Sequence, residues 1–143
     1  MSFQVSKPIR FAYCDPAGIV FYPRYVELCN EVVEDWFEQG LGIGFRALHE
    51  DHRLGIPAAR LEIDFQAPSR LGDSLDFELS VVALGRSSIT LEIIARCDGR
   101  PRLQIRLKIV VVSSDTLRPI AIDQAWRDRF SAYLQQQPSE RIS

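Results

Sequence analysis

The stretch Asp15-Pro16-Ala17-Gly18-Ile19-Val20-Phe21-Tyr22-Pro23 sets a carboxylate in a tight turn, immediately ahead of a segment with helical period. A carboxylate can attack an acyl carbon as a nucleophile or activate a water to do so. The first N–H groups of a helix have no intrahelical acceptor and sit at the positive end of its dipole. They are suited to hold the oxyanion that such an attack creates. Two halves of an acyl-transfer site therefore adjoin in sequence. Gly18 lets the loop turn back and brings backbone close to a substrate. Taken alone, Asp15-Pro16 is also an ordinary turn opener, and Gly18 an ordinary turn glycine.

The elements that must position this loop can be read from periodicity. Residues 3–13 read as a first strand interrupted by Pro8, with Ile9, Phe11 and Tyr13 on one face. Pro23 suits the first turn of a helix, where a missing N–H costs nothing. Tyr25, Cys29, Val32, Val33 and Trp36 form the apolar stripe of that helix, Val26 and Phe37 widen it, and Gly40 supplies the stop. A connection with a short helical turn near residues 45–49 follows. The period then changes to two: Leu61 to Phe65, Leu75 to Val81, Ile89 to Cys97 and Leu103 to Val111 alternate with polar residues. Gly85-Arg86 and Asp98-Gly99 stand where hairpin turns are needed. Asp123 is placed to cap a terminal helix anchored by Trp126, Phe130, Tyr133 and Leu134, and the polar tail 135–143 is expected to fray. The order predicts an α+β architecture in one domain spanning residues 1–143: an antiparallel sheet wrapped around one long central helix, with a short C-terminal helix.

A chain of 143 residues with 46% hydrophobic and 25% charged residues has the composition of a globular domain. Its net charge of −2 gives no general attraction to nucleic acid or to an anionic membrane surface. No apolar run reaches membrane-spanning length, and the N-terminal residues lack the apolar core of a signal peptide. The three cysteines, Cys14, Cys29 and Cys97, have no framework spacing. A cytoplasmic protein with free thiols is expected.

The ordered run Phe11-x-x-Cys14-Asp15-Pro16-Ala17-Gly18-Ile19-Val20-Phe21-Tyr22-Pro23-x-Tyr25 resembles the signature of the 4-hydroxybenzoyl-CoA thioesterase family, in the hotdog-fold superfamily. The resemblance is closest to the branch with an aspartate at the position of Asp15, and extends as a strand pattern to about Phe130. It implies that Asp15 attacks a thioester carbonyl or activates water, and that the backbone N–H of Tyr22 holds the oxyanion. The apolar Ile19, Val20 and Phe21 would strip water from the carboxylate. The family pairs its sheets edge to edge, so a dimer or tetramer with the site at a subunit interface is implied. No cofactor or metal is implied.

Asn30 departs from the family pattern. In the enzyme specific for 4-hydroxybenzoyl-CoA the matching position is an aspartate that receives the phenol hydroxyl. An amide bonds a hydroxyl without the charge that strengthens the bond, so little discrimination for a hydroxyl is expected from Asn30. A structural amide at the helix border is the alternative. Phe21 and Val26 would join Asn30 in lining the acyl pocket. Glu27 and Glu31 are further helix acids, set aside because the Asp15 motif is intact. Near the hairpin where the family binds CoA phosphates, Arg86 and Ser88 are the candidate contacts, Arg100 and Arg102 being weaker ones.

His49 and His52, three apart without further ligands, read as solvated loop residues rather than a metal site. No G-x-S-x-G elbow occurs, and the glycines at 40, 42 and 44 follow a helix rather than a strand, which excludes a dinucleotide loop. The expected activity is hydrolysis of an aromatic or short-chain acyl-CoA. The alternatives are an acyl-ACP thioesterase of the same fold and a non-catalytic acyl-CoA-binding protein.

Overall fold

The computed structural model describes residues 1–135. The elements run β1 (Phe3–Pro8), α1 (Pro23–Asp35), α2 (Phe45–Glu50), β2 (Leu54–Gly55), β3 (Ala58–Phe65), β4 (Ser74–Leu84), β5 (Ser88–Cys97), β6 (Arg100–Val110), β7 (Val112–Ser113) and α3 (Gln124–Ser131). Five strands form one antiparallel sheet in the order β1-β4-β5-β6-β3, and β2 pairs with β7 apart from it.

The alternation of β4 to β6 does what a period of two requires. Leu75, Phe77, Leu79 and Val81 of β4 are buried, as are Ile89, Leu91, Ile93 and Ala95 of β5 and Leu103, Ile105, Leu107 and Ile109 of β6. They meet the stripe of α1, where Tyr25, Leu28, Cys29, Val32 and Val33 are buried. Each such side chain withdrawn from water contributes about 1.5–3 kcal/mol to this interface. Asp98 and Gly99, at φ +52° and +77°, make the left-handed turn that a two-residue hairpin demands.

Several expectations change. The first strand ends at Pro8, and Phe11–Tyr13 is a 3-10 turn, so Ile9 is buried while Phe11 is 78% exposed. The reason is the return of the chain: Ile9 bonds Asp73 and Gly72 at the start of β4 and exhausts the pairing there. Gly40 does not stop the helix. The helix continues through a π-helical stretch, Trp36–Leu41, and ends at Gly42, whose φ of +78° is the left-handed cap. Gly40 is needed for space instead. A Cβ there would stand 2.8 Å from Trp36 Cδ1 and 2.9 Å from the Tyr133 hydroxyl. The orphan carbonyls of this helix end are taken by the C-terminal segment: Tyr133 Oη donates to Gly40 O at 3.0 Å and an Arg129 nitrogen to Leu41 O at 2.7 Å.

Asp123 caps α3 as expected, its carboxylate accepting from Trp126 N at 2.9 Å. Trp126, Phe130 and Tyr133 are buried, whereas Leu134 is 40% exposed. Gln135 is tied down rather than frayed, its N–H donating to Val81 O at 2.8 Å. The rest of the tail, residues 136–143, lies outside the described residues.

Candidate active site

The loop carrying Asp15 is a closed, hydrogen-bonded turn. Asp15 N donates to Ile19 O, Phe21 N to Tyr13 O and Gly18 N to Asp15 O, each at 2.9 Å. Gly18, at φ +78°, is the position where that turn needs a glycine. The Asp15 side chain folds back on its own turn, Oδ1 accepting from Ala17 N at 2.8 Å. Oδ2 makes no hydrogen bond among the described residues, so one oxygen holds the loop and the other is left for chemistry.

The same loop ends on α1. Pro23 has no N–H, Arg24 N donates to Phe21 O, and Tyr25 N donates to Tyr22 O. Among the described residues the Tyr22 N–H meets no acceptor, which leaves it as the free donor at this helix start. Tyr22, Val26 and Asn30 are four apart and therefore share a helix face, spread over about 12 Å. Val26 and Asn30 open into a cavity of about 380 Å³, a size that suits a small-molecule site. Its walls are Cys29 and Val33 of α1, Phe45 and His49 of α2, residues 56–58, Leu61 of β3, and Leu107 and Ile109 of β6. Burial pushes the Cys29 thiol up to about 12, so it faces this cavity as a neutral, nearly apolar group. A larger concavity of about 790 Å³ lies on the outer face of the sheet, against Glu78, Glu92 and Gln135, and includes no residue of the Asp15 loop or of α1.

Two clamps hold the loop, and neither was legible in the sequence. Tyr13 Oη donates to Glu31 Oε2 on α1 at 2.8 Å, a bond that raises the Tyr13 pKa. Glu31 is thereby a tether, and Glu27 is paired with Arg24. On the other side, Val20 N donates to Ser69 O and Leu71 N to Gly18 O, so the β3–β4 connection grips the loop. That connection is fixed by Arg102, whose Nη1 reaches Pro68 O, Ser69 Oγ and Asp73 Oδ2 at 2.8, 3.2 and 2.9 Å. The bond from Arg70 N, and then Arg102, hold the Asp73 carboxyl below its usual range. Arg102 is thus a brace, not a free cation.

The apolar neighbours do not seal Asp15. Val20 turns into the core at 7% exposure, Phe21 stays 46% exposed, and Asp15 itself is half-buried. Arg86 and Ser88 lie in the β4–β5 hairpin, which is tied to the C-terminal segment through Ile122 N to Arg86 O and Arg127 to Gly85 O. The eleven residues of β4 separate this hairpin from the end of the sheet that meets the Asp15 loop, roughly 33 Å. One chain does not bring Arg86 and Ser88 to Asp15. His49 is exposed, as expected, but lies on a helix rather than in a loop. It sits on α2 in the wall of the cavity, and its Nδ1 is 2.7 Å from Leu54 O. No cluster of potential metal ligands occurs among the described residues.

Comparison with known proteins agrees with this fold. A 1,4-dihydroxy-2-naphthoyl-CoA hydrolase of Synechococcus elongatus is 34% identical over 91 residues, a match spanning 63% of this chain and 66% of that protein. The crystal structure of a thioesterase-superfamily protein from Jannaschia superposes with a TM-score of 0.88 at 23% identity, covering 94% of each chain. That of a 1,4-dihydroxy-2-naphthoyl-CoA thioesterase from Synechocystis gives 0.82 at 17% identity, covering 92% of this chain and 96% of the other. Both superpositions show the hotdog fold. Residues 9–130, from the buried Ile9 to the end of α3, match the Thioesterase-like superfamily, and the chain belongs to it.

Proposed function

We propose that this protein hydrolyses an aromatic acyl-CoA thioester to the free acid and CoA, with Asp15 as the reacting carboxylate. The observation that carries the reading is the line from Asp15 through the unpartnered Tyr22 N–H to the apolar cavity at Val26 and Asn30. A thioester carbonyl placed at Tyr22 puts its acyl group along that helix face. Asp15 attacks the carbonyl carbon, or takes a proton from a water that does. The carbonyl oxygen gains the charge that the Tyr22 N–H then holds. Collapse of the adduct breaks the C–S bond and releases the CoA thiolate. In the nucleophilic route water next cleaves the resulting anhydride and restores Asp15.

The relatives named as 1,4-dihydroxy-2-naphthoyl-CoA hydrolases support an aromatic acyl group and a CoA carrier. The separation of the β4–β5 hairpin from Asp15 supports a site completed by a second copy, whose Arg86 and Ser88 meet the CoA.

The test is thiol release by Asp15→Asn across aromatic acyl-CoAs. Asparagine keeps the carbonyl oxygen that accepts from Ala17 N, so the turn is retained while the charge is lost. A fall of about 10²–10⁴-fold in kcat is expected. Near-normal thiol release by the folded variant would remove Asp15 from the mechanism.

A further inference from the structure

We infer that Ile56 sets the depth of the acyl pocket: it divides the cavity at Val26 and Asn30 from a second apolar cavity behind it, and so keeps long aliphatic acyl groups out. The inference rests on the thioesterase reading above and concerns how much of an acyl group that site accepts.

The two cavities lie end to end along the same elements. Val26, Asn30 and Val33 of α1 line the first, of about 380 Å³, and Phe37, one turn further on, lines the second, of about 60 Å³. Ile109 of β6 lines the first, and Val111, next on that face, lines the second. Ile56 lines both. The ring of Phe45, in the first cavity, meets that of Phe37, in the second, with centroids 5.4 Å apart. These two rings and the Ile56 side chain make the wall between the cavities. The backbone holds Ile56 in place. Gly55 pairs with Val112, and Pro57 O accepts from Val110 N at 3.0 Å, so the residues on both sides are fixed. A β-branched side chain is stiff at χ1, which makes Ile56 a fixed stop rather than a swinging gate.

Length decides which ligands meet this stop. The rise of the helix from Tyr22 to Val33 is about 16 Å. With the thioester carbonyl at Tyr22, a one- or two-ring aryl group ends within the first cavity. A long aliphatic chain, extended, runs on to Ile56. The space behind the wall suits the end of such a chain. Leu48, Leu54, Val111 and Trp126 line it, and the Asp123 carboxylate there already accepts from Trp126 N through Oδ1. The wall alone denies that space to the chain, and methylenes forced against a packed wall strain it. In an apolar pocket one methylene changes specificity by about tenfold or more. Cutting Ile56 back to its Cβ joins the two cavities.

The experiment measures kcat/KM for octanoyl-CoA and palmitoyl-CoA, each below its micelle concentration, in wild type, Ile56→Val and Ile56→Ala. In the wild type the palmitoyl thioester is expected to be poorer than the octanoyl one by about tenfold or more. In Ile56→Ala the palmitoyl-to-octanoyl ratio should rise by about tenfold, and in Ile56→Val by less. A general loosening of the fold would lower both substrates together and leave the ratio where it was. A wild-type ratio near one, or an unchanged ratio in folded Ile56→Ala, overturns the inference while leaving the hydrolysis intact. If Ile56→Ala does not fold, Ile56→Val decides, and no rise in its ratio overturns the inference. If no thioester is cleaved at all, the hydrolase reading fails. Calorimetric dissociation constants of the two intact thioesters then replace kcat/KM, and the same ratios decide the role of Ile56.

Discussion

At the residue scale, the division of labour within Asp15 is the central feature. One oxygen is spent on Ala17 N and holds the turn; the other makes no hydrogen bond among the described residues. Cys29 and Cys14 make an instructive contrast nearby. Cys29 is 2% exposed and its thiol is pushed up to about 12 by burial alone, whereas Cys14 is half-buried beside Asp15. The thiolate is the reactive form, so Cys29 carries almost none below pH 9. Iodoacetamide at pH 8 should therefore modify Cys14 in the native protein and leave Cys29 untouched until denaturant is added. Peptide mass mapping reads the outcome. Rapid native labelling of Cys29 would show that the pocket wall opens to solvent.

At the scale of elements, the Asp15 loop is positioned by its neighbours rather than by its own turn alone. The 66–73 connection grips Gly18 and Val20, and Arg102 and Asp73 grip the connection. Because Asp73 has a depressed pKa when folded, it stabilises the fold above its ordinary value of 3.8. That contribution is lost as pH falls through the depressed value. Asp73→Asn should thus cost about 1–3 kcal/mol in urea unfolding at pH 7, and the gap from wild type should narrow on acidification below pH 3.8. A gap that stays constant with pH would show that the Asp73 charge does not hold the connection. Faster exchange of the Val20 and Leu71 amides should accompany the neutral-pH loss. Arg102 was expected at most as a weak phosphate contact, because an arginine in a hairpin strand looks solvent-facing until its long-range partners are known.

At the scale of the molecule, one chain leaves a strip of apolar side chains exposed. Phe21, Tyr22, Val26, Leu61 and Phe65 are all at least 40% exposed, along the loop, the helix face and β3. β3 is an edge strand, paired to β6 on one side. An apolar edge of this kind invites pairing with another chain. Together with the remote Arg86 hairpin, this supports an even-numbered oligomer, with a tetramer of two dimers expected. Light scattering at micromolar concentration should give a multiple of the 16.3 kDa chain mass. A mass of one chain would contradict the shared site. Leu61→Arg should dissociate the assembly and lower turnover together, if the edge is the interface. Among the described residues no helix is long and apolar enough to cross a membrane.

The sequence by itself determined the alternating strands, the stripe of α1, the Asp123 cap and the Asp15 loop, because each is written in short-range spacing and residue type. Periods of two and 3.6 are local facts, and so is a dozen-residue signature. It could not place the helix end, because Gly40 and Gly42 differ only in the company they keep: Tyr133 and Trp36 crowd the first, and open space surrounds the second. It misjudged Phe11, because the chain leaves the strand at Pro8 and enters a 3-10 turn that puts Phe11 on the surface and Ile9 in the core. Most of all it could not see the cavity beside Val26 and Asn30, which residues of α1, α2, β3 and β6 line together. Those partners come from across the chain, and only the tertiary structure brings them together.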